Sequence, residues 1–302
     1  GLYYEASVCG AIPIISTLMT PLQANRIDRL MGIINGTTNY ILTRMAAEGA
    51  EYVTVLKDAQ RLGLAEPDPT ADVEGFDAQH KLSLLGSIGF HTRVHVDDVY
   101  REGITKINSE DISFGREMGY VLKLLAIGKD NGDSIEARVH PAFLPADHPL
   151  ARVDGSLNAV YLYGHSFKDM MLEGRGAGDA PTASAIVSDL IRAASAPKHC
   201  YPTFENDLYP TVALENNTDW RCSFYVRMRA QDRPGVLSSV AKTFADHGVS
   251  IAAMQQKGEV KDGRVTLVFI THAAYEKEMQ AAVREITPDV ASVESLLRVE
   301  EG

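Results

Sequence analysis

Cysteine is scarce in this 302-residue chain: Cys9, Cys200 and Cys222 are odd in number, scattered, and form no CxxC pair. That pattern excludes a disulfide-stapled scaffold and reads as reduced thiols in a cytosolic, cytoplasmic protein. The nine histidines supply no HExxH, which argues against a catalytic zinc site. No apolar run reaches the ~18 residues of a membrane span, and the first residues, GLYYEASVCG, lack the basic region of a signal peptide. Positive charge is also short. With 29 basic and 40 acidic residues the net charge is −11, so neither nucleic acid nor an anionic membrane is expected as a partner. Finally, no strand–GxGxxG–helix unit occurs. The nearest run, EGRGAGD, spaces Gly174, Gly176 and Gly178 as GxGxG. What remains is a chain that is 45% hydrophobic and 23% charged, ordinary for a globular protein and long enough for two domains.

The rest of the chain is organised around residues 59–81, AQRLGLAEPDPTADVEGFDAQHK. The segment is polar and Pro-rich up to Thr70 and then turns into a helix, GFDAQHKLSLLGSIGF. Asp77 and Lys81 are four residues apart and share one helix face, while Leu82, Leu85 and Ile88 take the buried side. On spacing alone this is a surface pair, worth about 0.3–0.5 kcal/mol. A lysine set among carboxylates can also relay a proton, and carboxylates accept charge-assisted hydrogen bonds from an ammonium group.

Taken in order, LYYEASV predicts a buried strand and GAIPIISTLMTPL a turn followed by an apolar helix. IDRLMGIIN predicts a strand punctuated by Asn35-Gly36, and TTNYILTRMAAEGA a helix capped by Thr37 or Thr38. Such a strand-to-helix turn leaves N–H groups that suit a carboxylate or phosphate. EYVTVLKDAQRLGL is amphipathic and ends at Gly63. Asp98 to Asn108 reads as a loop, followed by a helix running into a strand and then alternating strands. The Gly-rich turn at 174–178 leads into a helix, with Pro181 and Thr182 near its start. Residues 201–220, with Pro202 and Pro210, read as a linker. Beyond them the pattern is βαββαβ, a small ferredoxin-like domain over 221–302.

The spacing Ala59-x3-Gly63-Leu64-Ala65-x2-Asp68-Pro69-x2-Asp72-Val73-x-Gly75-x-Asp77-x3-Lys81 resembles the signature of homoserine dehydrogenases, and YEASV-x-G-x-IPII resembles a run of the same family. The resemblance implies oxidation of L-homoserine to L-aspartate 4-semialdehyde, reversibly, with hydride passing to NADP or NAD, as in threonine, methionine and isoleucine biosynthesis. By the same resemblance Lys81 moves the proton, Asp72 supports it, and Glu66, Asp77 and Thr37 contact the substrate. Gly63 and Gly178 contact the cofactor. Backbone carbonyls at Glu5, Val8, Gly10 and Ile12 bind a monovalent cation, sodium; read without the resemblance, they form a plain strand-to-helix turn. The family's N-terminal dinucleotide-binding domain has no counterpart here, so the chain is expected to be a fragment, inactive alone.

Asp232-Arg233-Pro234-Gly235-Val236-Leu237 resembles the first turn of an ACT domain. That implies pairing between subunits, a homodimer or higher homo-oligomer, and an amino-acid effector such as threonine. The expected fold is α+β (or α/β): a mixed-sheet catalytic and dimerisation domain over 1–200, with helices on one face, a linker over 201–220, and the ACT domain. The competing reading is a non-catalytic amino-acid sensor, for which the set Glu66, Asp72, Asp77 and Lys81 would have no physical use.

Overall fold

The structure, a computed structural model, describes residues 2–195, 213–214 and 220–301. Cys200 and most of the expected linker lie outside them. The chain divides into two compact units, one of Gly1–Ser109, Lys123–Pro141 and Asp147–Asn217, the other of Glu110–Leu122, Ala142–Ala146 and Thr218–Gly302. The architecture is mixed α+β, as expected.

The first unit opens with a correction. LYYEASV is not a strand: Glu5–Ser7 form a 3-10 turn. The backbone there is tied to side chains instead of a ladder. The Glu5 N–H donates to Asp189 (2.8 Å), and the Glu5 carboxylate accepts from the N–H groups of Ile15 and Ser16, at the start of helix α1 (Ile14–Met19). Burial pushes the Glu5 carboxyl up, and those two N–H groups act against the rise.

Strand β1 (Ile27–Ile33) follows, buried from Leu30 onward, then helix α2 (Gly36–Glu48). Its cap is Asn35 rather than either threonine. The Asn35 side chain accepts from the Thr38 N–H (2.9 Å), because an Asn in extended conformation one residue ahead of the helix reaches N3 directly. Gly49 closes α2 in the left-handed region, and α3 (Tyr52–Arg61) ends just before Gly63, also left-handed at φ +71°. Helices α4 (Thr70–Val73) and α5 (Phe76–Gly89) hinge on Gly75 at φ +81°. The loop expected over Asp98–Asn108 contains a two-residue strand, β2 (Tyr100–Arg101), paired parallel to Arg138 and Val139.

After α6 (Ser109–Glu117) come β3 (Tyr120–Asp130), β4 (Ser134–Pro145), β5 (Leu157–Gly164), β6 (Lys168–Arg175) and α7 (Asp179–Ser195). In the first unit the strands run β6-β5-β1-β3-β4. The β1–β3, β1–β5 and β5–β6 pairs are antiparallel, whereas β2 and the short β7 (Ala213–Leu214) join β4 in parallel. Thus β7 puts regular structure inside the segment expected to be a linker. Leu30, Met31, Ile41, Leu82, Leu85, Leu125, Ile127 and Leu162 are fully enclosed and form the core beneath the site.

The second unit carries β8 (Arg221–Gln231), α8 (Val236–Asp246), β9 (Ile251–Lys261), β10 (Arg264–Thr271), the short β11 (Ala274–Tyr275), α9 (Glu276–Glu285) and β12 (Ala291–Val299). Its order β12-β8-β10-β9, all antiparallel, is the ferredoxin-like arrangement read from the sequence. Two pieces from ahead of the expected boundary also belong here. Asp111 of α6 pairs with Arg227, and Ala142 and Phe143 pair parallel with Arg298 and Val299.

Candidate functional site

The site is assembled from four places in the first unit. Helix α5 supplies Asp77 and Lys81, whose i,i+4 spacing brings Nζ to 2.7 Å from Oδ2. Lys81 Nζ also donates to the Ile34 carbonyl at the end of β1 (3.2 Å). The turn between β1 and α2 supplies Asn35, whose Nδ2 donates both to Asp72 (2.7 Å) and to Asp77 (2.9 Å). One amide therefore holds two carboxylates that would otherwise repel each other, and its Oδ1 caps α2 at the same time. Beside it, Thr37 Oγ1 donates to the Leu64 carbonyl (2.7 Å), closing the loop after α3 onto the start of α2.

The same loop carries Gly63 and Glu66. Gln60 Nε2 bonds the carbonyls of Glu66 and Pro67 and so fixes the backbone beneath the Glu66 carboxylate. The fourth place is the end of β6 and the turn after it. Gly176 leaves no room for a side chain, since a Cβ there would overlap the Asn158 amide at 2.1 Å, and Gly178 sits at φ +118°. Gly36 is constrained similarly by the Ser156 carbonyl, 2.8 Å from where its Cβ would be.

These elements enclose a cavity of about 500 Å³. Glu66, Asp72, Asp77, Lys81, Thr37, Gly63 and Gly178, all named from the sequence, line it together, within the size range of small-molecule sites. The sequence reading missed Asn35 as the bridge between carboxylates, and it missed Ser156, Asn158 and Arg175, which line the same wall. The Asn-Gly turn was a usable signal for Asn35. Asn158 and Ser156 carry none, being held by a contact from far away: buried Lys123 donates to the Val153 carbonyl (2.6 Å) and to Asn39 (3.2 Å), anchoring the loop that leads to them. Burial pushes the Lys123 amine down, against the pull of Asp154.

The positions Glu5, Val8, Gly10 and Ile12, which the resemblance led one to expect at a cation, are not among the residues lining the cavity, though their turn is bonded to Arg175 on its wall. Cys9 (φ +57°) and Gly10 (φ +51°) make a tight left-handed turn, and the Ala11 N–H donates to the Arg175 carbonyl (3.2 Å). Cys9 Sγ accepts from Asn158 Nδ2 (3.7 Å), and burial pushes its thiol up to about 11, so it is protonated at neutral pH. Among the described residues no three His, Cys, Asp or Glu side chains cluster as a metal site.

A homoserine dehydrogenase family model matches residues 13–191, and an ACT domain model matches residues 224–287. The chain belongs to the homoserine dehydrogenase family. It is 41% identical over 306 residues to the homoserine dehydrogenase of Corynebacterium glutamicum, covering 99% of this chain and 68% of that protein. It is 44% identical over 310 residues to that of Mycobacterium tuberculosis, covering 99% and 70%. The fold is similar to a solved homoserine dehydrogenase from Thiobacillus denitrificans, with a TM-score of 0.92 at 41% identity over 99% of this chain and 70% of that one. It is also similar to a hyperthermophilic archaeal homoserine dehydrogenase in complex with NADPH, with a TM-score of 0.56 at 28% identity over 64% and 56%. The family makes this an oxidoreductase of amino-acid biosynthesis with an ACT domain, and sets aside the sensor reading. Among the described residues no helix is long and apolar enough to cross a membrane.

Proposed function

We propose that the cavity between α2, α5, the loop after α3 and the turn after β6 holds L-homoserine and moves the proton of its hydroxyl. The supporting observation is the convergence of Glu66, Asp72, Asp77 and Lys81 on one wall. In this reading Glu66 and Asp77 receive the α-ammonium, and Lys81 gives or takes the hydroxyl proton. Asp72, tied through Asn35 to Asp77, keeps the Lys81 amine oriented.

The nicotinamide cofactor, NADP or NAD, accepts the hydride when bound. The cavity wall suits its approach. Gly63 presents open space where a side chain would stand, and Gly178 meets only the ring of Pro181. The solved archaeal relative holds NADPH. For the cation, the left-handed turn at Cys9 and Gly10 supports a sodium site built from the carbonyls of Glu5, Val8, Gly10 and Ile12. Glu5 would serve there through its backbone, since its carboxylate is bonded to α1.

By the same reading residues 1–200 are the catalytic and dimerisation domain, 201–220 the linker, and 221–302 the ACT domain. The protein works as a homodimer or higher homo-oligomer, and an amino acid such as threonine acts at the ACT domain. Cys9 and Cys222 are buried free thiols, in keeping with a reducing cytoplasm.

Calorimetric titration of this chain with L-homoserine tests the substrate assignment. Glu66→Gln should weaken binding by about tenfold or more, the cost of one charge-assisted hydrogen bond. Unchanged affinity in that variant would remove Glu66 from the site.

A further inference from the structure

The charges on the cavity wall are not equally available. Asp77 is paired with Lys81 and bonded to Asn35, and Asp72 is bonded to Asn35. Two charged side chains remain that line the cavity and have no ion pair or hydrogen bond among the described residues: the Glu66 carboxylate and the Arg175 guanidinium. They are of opposite sign. An amino acid is a zwitterion, and a wall that recognises it needs an open anion for its ammonium and an open cation for its carboxylate. A wall offering only Glu66, Asp72, Asp77 and a Lys81 already engaged would repel the carboxylate.

We propose that Arg175 binds the α-carboxylate of the substrate. The assignment rests on the reading of this cavity as the homoserine site, and it names the group that selects an amino acid over an amino alcohol. Arg175 is suited to the task. It ends β6, where its backbone is fixed opposite Leu157 and its carbonyl accepts from Ala11. Only the side chain is left to adjust. A guanidinium offers a planar fork of donors that matches a carboxylate with two parallel hydrogen bonds, which the single ammonium of Lys81 does not. The glycines that follow, Gly176 and Gly178, keep the wall beside it free of competing side chains.

The test compares two ligands, with NADP as a control, on the unaltered chain and three variants. L-Homoserine and 2-aminobutane-1,4-diol share the ammonium and the terminal hydroxyl and differ only in the carboxylate. In calorimetric titrations Arg175→Gln should weaken homoserine binding by about tenfold to a hundredfold and leave the aminodiol unchanged. Arg175→Lys should fall between, because it keeps the charge and loses the fork. Glu66→Gln should weaken both ligands alike.

Equal losses for both ligands with Arg175→Gln, or no loss for homoserine, would overturn the assignment. So would a loss confined to NADP, which would make Arg175 a phosphate contact. If the unaltered chain fails to bind homoserine, the substrate reading of the cavity falls and Arg175 falls with it. If the unaltered chain binds and Glu66→Gln weakens binding while Arg175→Gln does not, only Arg175 falls.

Discussion

Both units of this chain contain ionic networks, and they are built in opposite ways. In the second unit Arg298 and Glu276 are 2% and 4% exposed and meet through two hydrogen bonds, of 2.6 and 3.1 Å. Arg227 is equally enclosed. It reaches both oxygens of buried Asp111 (2.7 and 3.3 Å), while Tyr225 donates to the same carboxylate. Burial, with Asp111 alongside, pushes the Tyr225 phenol far up. These groups fill one another's bonding positions. In the first unit Lys81 and Asp77 are 20% and 30% exposed, and the wall they share also bears Glu66 and Arg175 with positions open. A saturated network holds a fold in one arrangement. An unsaturated one on a cavity wall has capacity left for a ligand and for moving a proton.

The sharpest way to break this contrast is to remove one charge from the closed network. Glu276→Gln removes the charge of the carboxylate that buried Arg298 meets and should cost about 3–5 kcal/mol, read as a fall in Tm. Homoserine affinity, measured below the new Tm, should be unchanged. A loss near zero would mean that the Arg298 pair is not dry.

Next in size is a pH effect at the turn beside the cavity. The Cys9 thiol is pushed up to about 11 in the folded chain, against an ordinary value of 9.0. Below about pH 9 both states keep the proton and the group is neutral in the balance. Above it the unfolded chain ionises first, so folded stability falls between roughly pH 9 and 11, by about 2–3 kcal/mol for this group. Cys9→Ala should flatten that part of a Tm-against-pH curve. An unchanged slope would show that the thiol is not held in its protonated form.

Third, Gly115 in the second unit has the Phe143 ring 2.2 Å from the place of a Cβ. Gly115→Ala should cost about 1–3 kcal/mol through overpacking, with no effect on the cavity. Smallest is the exposed pair Lys242–Asp246, whose side chains are 74% and 52% exposed. Lys242→Ala should leave Tm essentially unchanged. A marked fall would contradict the view that burial, rather than pairing itself, gives these networks their weight.

Legibility in the sequence followed the range of the interaction. Asp77 and Lys81 are four residues apart on one helix, and the whole stretch from Gly63 to Lys81 is local, so its chemistry could be read directly. The βαββαβ alternation of the second unit was likewise carried by period and turn residues. LYYEASV was misread because its apolar alternation suits a strand, while the decisive contacts come from Asp189, 184 residues away, and from α1. Asn35 was seen as a turn residue and not as the amide that joins Asp72 to Asp77, since those contacts span 37 and 42 residues. Arg175 and Asn158 reach the wall through the β5–β6 pairing, which no local pattern announces.

The central claim is that the charges lining the cavity do chemistry rather than hold the fold. Turnover of homoserine with NADP by the enzyme carrying Lys81→Met tests it most directly. The account predicts that kcat falls by about 10²–10⁴, as for loss of a general acid–base group. Tm should shift little, because the pair is partly exposed. A change confined to KM, with kcat intact, would contradict the account and leave Lys81 a binding residue alone.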